Sequence, residues 1–128
     1  MKKLILLLLL IPLVSFGQDF RVQSKSANVK DGKSWGGWSS NVMKIDFYLS
    51  SKKIKWINNG KIVAEFSNLN IISKDENLDG SDDQIWKLED DDGRSLFMKL
   101  NIKNDDVTVT FEFDSSYSIA FQGGFVKT

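Results

Sequence analysis

The feature that most constrains this chain is a repeated alternation of apolar and polar residues between positions 95 and 113. Every second residue is apolar from Leu96 to Ile102, and again from Val107 to Phe113. Because successive side chains of a strand point to opposite faces, each run predicts a strand with one apolar face. The polar residues 103–106 between the runs predict a tight turn, so the pair is predicted to be an antiparallel hairpin.

The same alternation recurs along most of the chain. It is clear over residues 43–49, 54–56, 62–66, 84–89 and 117–121, and weaker over 19–31 and 69–73. Ser67-Asn68 is interpreted as a turn, and Gly123-Gly124 as the end of the last strand. The pattern predicts an all-β fold, an antiparallel meander of about eight strands forming a small barrel or sandwich. One core is predicted, formed by Met43, Ile45, Phe47, Leu49, Leu96, Met98, Leu100, Val107, Val109, Phe111, Ile119 and Phe121.

The N-terminus has the form of a targeting segment. Lys2 and Lys3 precede an apolar run over residues 4–14, and Ser15-Phe16-Gly17 offers small residues for cleavage. The apolar run is about half of the roughly 20 residues that span a bilayer, and no later stretch is longer. We therefore predict a signal peptide at 1–17, cleaved after Gly17 or Gln18, and a single all-β domain at 18–128. The mature chain is predicted to have no membrane span and to be an exported bacterial protein, periplasmic or secreted.

The composition limits the available chemistry, because the 128 residues include neither histidine nor cysteine. A Ser-His-Asp triad, a thiolate nucleophile and the common zinc ligands are thereby excluded, as are disulfides. The remaining catalytic option is a pair of carboxylates of the glycosidase kind. The acidic residues crowd the predicted turns, where solvated carboxylates are expected, so we predict that the protein is not an enzyme.

Acidic residues are concentrated between positions 75 and 92, where nine of them face only one basic residue, Lys87. We expect them to form one acidic region of the domain. Within it, residues 75–83 fit the pattern D-x-[DN]-x-D-G-x-x-D. Calcium prefers six to eight oxygen ligands, and alternate side chains of a tight loop converge on one point. The candidate calcium ligands are Asp75, Asn77, Asp79, the Ser81 carbonyl and Asp83.

This nine-residue stretch resembles the first half of an EF-hand loop. It resembles more closely the calcium hairpins in the β-propeller of integrin α chains, where the motif joins two strands. An EF-hand would require a glutamate at the twelfth position, where this chain has Trp86, and helices on both sides. The resemblance therefore implies a calcium-binding hairpin and not an EF-hand.

Two tryptophans stand apart from the strand pattern. Trp35 and Trp38 flank Gly36-Gly37, whereas Trp56 and Trp86 lie in predicted strands and are expected in the core. Exposed indole rings stack on sugars or insert into a partner, so Trp35 and Trp38 are candidate contacts for a ligand or partner; packing at the end of the sheet is the alternative. Gly36-Gly37-Trp38 also resembles the G-x-W near the first strand of lipocalins.

Three functional hypotheses follow from these features. The first is a non-catalytic domain that binds an unknown small molecule or protein partner, through its interior or through the Trp35–Trp38 end. The second is a calcium-stabilised adhesion or envelope accessory domain, and the third is a carboxylate enzyme. Nucleic acid is not expected as a partner, because the only basic cluster, at residues 52–55, is short and better explained as a solvated edge strand.

Overall fold

The computed structural model of the protein describes residues 20–126, so the predicted signal peptide lies outside the described residues. These residues form ten strands in one antiparallel sheet. The strands are β1 (Phe20–Asp31), β2 (Ser34–Trp35), β3 (Ser39–Ser40), β4 (Lys44–Tyr48), β5 (Lys53–Asn58), β6 (Lys61–Glu76), β7 (Asp82–Glu89), β8 (Ser95–Lys103), β9 (Asp106–Glu112) and β10 (Tyr117–Val126). Within this range the structure contains no helix of the length and apolar character needed to cross a bilayer.

The sheet closes on itself as an eight-stranded barrel. Neighbours along the chain pair from β4 to β10, and β1 pairs with both β4 and β10. The short strands β2 and β3 both pair with β1. The predicted all-β meander is therefore confirmed, and of the two predicted forms the structure is the barrel. Closure leaves no free edge in the main sheet, which removes the pairing hazard of a long open meander.

The interior of the barrel is filled by core side chains. The predicted core is confirmed: ten of its twelve residues are buried in one cluster, and Leu49 and Ile119 pack against it partly buried. Trp56 lies at the centre of an aromatic group, with its ring centroid 4.7 Å from that of Phe111 and 5.1 Å from that of Phe121. An eight-stranded barrel has an interior just wide enough for such packing.

Two predicted chain breaks are wrong, and in both places the strand continues. Ser67-Asn68 is not a turn but a β-bulge within β6, where Asn68 has a φ of 55° and the register to β7 shifts. A single left-handed residue bends a strand without reversing it. At the other break, β10 continues through Gly123-Gly124 to Val126 and pairs with β1.

The acidic residues do not form the single region that the sequence suggested. Five of the nine lie at or beside the hairpin between β6 and β7, and the other four lie at or after the end of β7. Because β7 runs from Asp82 to Glu89, its length of roughly 25 Å separates the two groups. The acidic charge is therefore divided between the two ends of this strand.

Candidate ligand-binding face

The segment that carries the two candidate tryptophans is anchored along the edge of β1 that faces away from β10. The backbone N–H of Gly37 donates to Oδ1 of Asn28 at 2.8 Å, and the N–H of Gly36 donates to the carbonyl of Val29 at 2.9 Å. Trp35 itself pairs with Lys30 in the β1–β2 ladder. These bonds hold the Trp35–Trp38 segment against the barrel wall.

The anchored segment covers part of the neighbouring wall. Asn28 and Ala120 occupy outward-facing positions, because each is adjacent in sequence to a core residue of its strand. They are nevertheless only 8% and 4% exposed. The indole rings above them remain 44% exposed at Trp35 and 48% exposed at Trp38. Trp35 and Trp38 thus lie beside this covered part of the wall and are themselves about half exposed to solvent.

The rings and the wall form a shallow groove of about 380 Å³, which we call the Trp groove. It is lined by Asn28, Trp35, Trp38, Thr108, Thr110 and Ala120. The predicted contact residues Trp35 and Trp38 are therefore brought together on one surface. That surface is the outer wall of β1, β9 and β10, not the end of the barrel.

A second groove of about 410 Å³ adjoins the first, and we call it the polar groove. Its lining includes Asp75, Asp83, Lys99 and Asn101, and it shares Thr108 and Thr110 with the Trp groove. The two threonines alternate with the core residues of β9, so their hydroxyl-bearing side chains form the common floor. The two grooves consequently adjoin at β9, and together they extend over the outer wall from β7 to β1.

The strand register arranges this floor in two cross-strand rows. In one row Asp83 pairs with Asn101, Asn101 with Thr108, and Thr108 with Gln122. The second row is made of the pairs Ile85–Lys99, Lys99–Thr110, Thr110–Ala120 and Ala120–Asn28. Directly opposite residues of paired strands have Cβ atoms about 5 Å apart, so each row is a line of neighbouring side chains.

Hydrogen bonds fix the carboxylate of Asp83 at the edge of the polar groove. Its Oδ1 accepts from Nδ2 of Asn101 at 2.6 Å, and its Oδ2 accepts from Nδ2 of Asn77 at 2.7 Å. A carboxylate oxygen has two lone pairs, so each can still accept a second hydrogen bond. Asp83 is thus a pre-oriented acceptor.

The candidate calcium ligands lie in the hairpin between β6 and β7, whose loop is shorter than predicted because only residues 77–81 are outside the strands. Oδ1 of Asp79 accepts from both the N–H and the hydroxyl of Ser81, at 3.0 and 2.7 Å. These bonds are the main cause that lowers the pKa of Asp79. Asn77 directs its amide nitrogen, a donor, to Ser81 and Asp83.

The polar groups of this loop are therefore hydrogen-bonded to one another. Asp75 and Asp83 are directly opposed across the hairpin, an unfavourable arrangement of like charges that a cation would relieve. Among residues 20–126, no group of three or more acidic, histidine or cysteine side chains is arranged to hold a metal ion. The calcium site stays a prediction carried by the loop sequence and by the opposed carboxylates.

One further carboxyl group in this hairpin points inward. Asp82 is 5% exposed, and its Oδ2 has no hydrogen-bond partner within the described part of the chain. Burial, and then the charge of Glu76 across the hairpin, raises the pKa of Asp82. Asp82 lines neither the Trp groove nor the polar groove. It therefore does not supply a paired acid and base within these grooves.

Comparison with known proteins gives no further assignment of this face. The chain matches no known family model, and searches of characterised proteins and of solved structures found no significant similarity.

The sequence identified the two tryptophans but not the floor beneath them. Thr108 and Thr110 are visible in the sequence as the polar face of a strand, and Asn101 as its neighbour on the adjoining strand. These residues lie near Trp35 and Trp38 only because β10 pairs with β1, which brings the first and last strands together.

Proposed function

We propose that the protein is an exported, non-catalytic binding domain that uses the Trp groove and the polar groove to hold a small ligand or a protein partner. The observation that carries the proposal is the pair of half-exposed indole rings fixed over a polar strand face. Binding sites commonly combine aromatic surface with a few placed polar groups, and this face has both.

The interior supports this assignment to the outer wall. Side chains of Phe111, Met98 and Val109 are fully buried at the centre of the barrel, and the aromatic group around Trp56 fills the space between the strands. A ligand inside would have to displace these side chains, which together make the hydrophobic core. An outer site requires no such change.

The non-catalytic character is supported by the chemistry of the lining. The grooves offer threonine hydroxyls, amides, one lysine and two carboxylates, without a histidine or a cysteine. Lys99 is paired with Glu112, with Nζ 3.4 Å from Oε2. These groups are suited to hydrogen bonding and give no nucleophile with an adjacent base.

A matched set of variants tests the proposal before the ligand is known. Wild-type protein, a Trp35→Ala/Trp38→Ala variant and a Phe97→Ala variant are immobilised and exposed to an envelope and culture-fluid extract of the source cells. Phe97 is a suitable control because it is 44% exposed on the outer wall and lines neither groove. Retained carbohydrate and retained protein are measured separately.

We expect the immobilised wild type and Phe97→Ala to retain the same carbohydrate or protein, and the double variant not to retain it. Circular dichroism must show that the double variant is folded, since each half-buried ring contributes about 2 kcal/mol of burial at most. If wild type and the double variant retain the same material, the outer face is not the binding site and the proposal is wrong.

One observation favours the calcium-stabilised alternative as a second candidate. Asp75 faces Asp83 and Glu76 faces Asp82 across the β6–β7 hairpin, so two successive pairs oppose like charges. Such pairs are destabilising unless a cation or solvent screens them. A calcium-dependent rise in stability would support this role for the hairpin.

A further inference from the structure

We infer that the ligand of the outer face is a neutral polysaccharide chain, lying across the strands from the polar groove to the Trp groove. The inference rests on the proposed function and names the ligand class of that same site. Its basis is the juxtaposition of two exposed indole rings with a row of hydroxyl, amide and carboxylate groups.

The Trp groove fits the apolar face of a sugar ring. A pyranose ring carries C–H groups on its faces and hydroxyl groups around its edge, so a face packs on an aromatic ring while the edge stays available for hydrogen bonds. Trp35 and Trp38 each present about half of their surface to solvent. Their position is fixed by the bonds of Gly36 and Gly37 to β1, so stacking requires little ordering of the chain.

The polar groove fits the edge of such a ring. Threonine hydroxyls both donate and accept, Asn101 offers an amide, and Asp83 offers a carboxylate held by two hydrogen bonds. A sugar hydroxyl also donates and accepts, so a mixed set of this kind can satisfy it. Hydrogen bonds to an ionised acceptor are stronger than those between neutral groups, which makes Asp83 the strongest single partner on this face.

The charges of the face favour a neutral chain over an anionic one. Asp75 and Asp83 stand opposite each other at one side of the polar groove. The only lysine among the groove residues, Lys99, is 3.4 Å from the carboxylate of Glu112. A uronic acid or sulfated sugar would meet two carboxylates and a cation already paired, so it would be repelled.

The extent of the face fits a chain of several sugar units. The row from Ile85 on β7 to Asn28 on β1 crosses four strand gaps. At about 4.8 Å for each gap, the row follows about 19 Å of the curved barrel wall. Its last two members, Ala120 and Asn28, are buried beside Trp35 and Trp38, so at that side a ligand would contact the two tryptophans instead. A single sugar would contact only a fraction of this surface, so affinity should increase with chain length.

The same face is poorly suited to a protein partner. Interface cores are apolar and depleted of charged residues. Here the large, strongly exposed apolar side chains among the groove residues are Trp35 and Trp38, while Asp75, Asp83 and Lys99 line the adjoining groove together with the partly exposed Ile85. A protein would have to desolvate these charges with little apolar surface beyond the two tryptophans to compensate.

Native gel electrophoresis in the presence of soluble polysaccharides tests the inference with the 18–128 chain. The neutral probes are mixed-linkage glucan, galactomannan, arabinoxylan and soluble starch, and the anionic probes are alginate and polygalacturonate. We expect at least one neutral probe to slow the wild type. Trp35→Ala and Trp38→Ala should each weaken this binding at least about tenfold, while Phe97→Ala should leave it unchanged.

A shape-conserving variant separates sugar binding from apolar contact. Thr108→Val/Thr110→Val removes both hydroxyls of the shared floor and keeps a β-branched side chain that suits a strand. Sugar binding should weaken several-fold, whereas an apolar partner would bind equally well or better. Binding of a neutral probe that depends on the tryptophans but not on these hydroxyls would overturn the sugar assignment.

The remaining outcomes also decide the matter. Binding of anionic probes alone, or of none of the six, overturns the inference. The proposed function is judged separately by the extract experiment. A protein retained there in a tryptophan-dependent manner, with no polysaccharide binding in the gels, would leave the proposed function standing and reject the neutral sugar chain as its ligand.

Discussion

Replacement of Gly123 by alanine should open the barrel where its first and last strands meet. Gly123 is opposite Ser24 in the β1–β10 ladder, next to the register shift between Ser24 and Ser26. A Cβ atom at this position would lie 1.9 Å from the backbone oxygen of Gln23 and 2.7 Å from Cα of Ser24. Both obstructing atoms belong to the backbone, so no side-chain rotation relieves the clash.

The magnitude follows from the separation that the strands would need. An ordinary contact begins at 3.4 Å, so the Gln23 oxygen must move by about 1.5 Å. Overpacking costs about 1–3 kcal/mol, and a displacement of this size breaks one or two ladder hydrogen bonds worth about 1 kcal/mol each. We expect Gly123→Ala to lower the free energy of unfolding by about 2–5 kcal/mol, a large part of the 5–15 kcal/mol typical of a domain.

Urea unfolding followed by circular dichroism measures this loss, and Gly124→Ala is the matched control. At Gly124 the added Cβ would lie 3.0 Å from the Asp105 oxygen, a tight contact that a shift of a few tenths of an ångström relieves. The control should lose about 1 kcal/mol. Amide exchange should be faster in β1 and β10 of Gly123→Ala alone. Equal stability of the two variants would refute the reasoning, because it would mean that β1 and β10 do not approach as closely as the structure shows.

Four further predictions test the core, the Trp segment, the acidic hairpin and the response to pH. Phe111→Ala should cost about 3–5 kcal/mol in urea unfolding, because Phe111 is fully buried against the aromatic group of the core; a loss below 1 kcal/mol would contradict this. Gly37→Ala should abolish the tryptophan-dependent retention of extract material, because Gly37 has a φ of 104°, which residues with a Cβ atom rarely adopt. Gly36→Ala meets only an ordinary 3.5 Å contact and should bind the same material as the wild type. Calcium at 100 times a dissociation constant of about 10⁻⁴–10⁻³ M, which is about 10–100 mM, should add about 2.7 kcal/mol of stability and so raise the melting temperature. Magnesium should do less and Asp79→Ala should abolish the rise; identical melting curves in calcium and in chelator would reject the site. The backbone N–H and the hydroxyl of Ser116 donate hydrogen bonds to Asp114 and lower its pKa. The stability that these bonds give the fold is complete above the unfolded-state pKa and is lost as the pH falls through the lower folded-state pKa. Asp114→Asn should therefore flatten the decrease in the free energy of unfolding at acid pH.

The strand pattern of this chain was predictable because one face of nearly every strand is buried. The alternation over residues 96–102 and 107–113 specifies the β8–β9 hairpin, with Lys103 pairing with Asp106 across the turn as the sequence suggests. The interruptions were harder to interpret. Asn68 and Gly123 are residues typical of turns, but in the structure one forms a bulge and the other permits a close approach of two strands. Both roles depend on the neighbouring strand, which local sequence does not specify.

The candidate site was only half predictable for the same reason. Trp35 and Trp38 are conspicuous because glycines separate them from any regular strand. Their neighbours Thr108 and Thr110 are more than 60 positions away in the sequence and have the composition of an ordinary solvated strand face. Only the closure of β1 on β10 places the rings beside them, and closure is a property of the whole sheet.

The proposed location of the binding site on the wall agrees with the way this barrel is stabilised. The stability of a domain without disulfides depends on the apolar area that it buries, and here large apolar side chains fill the interior of the barrel. Binding surface must then come from positions that do not contribute to the core. The outward positions of β8 to β10 meet this requirement, because changing Thr108 or Asn101 leaves the buried alternation intact. Under the proposed function, binding specificity and core stability would depend on opposite faces of the same strands. Variants of the grooves should accordingly change ligand binding without the large stability loss expected for Gly123→Ala or Phe111→Ala.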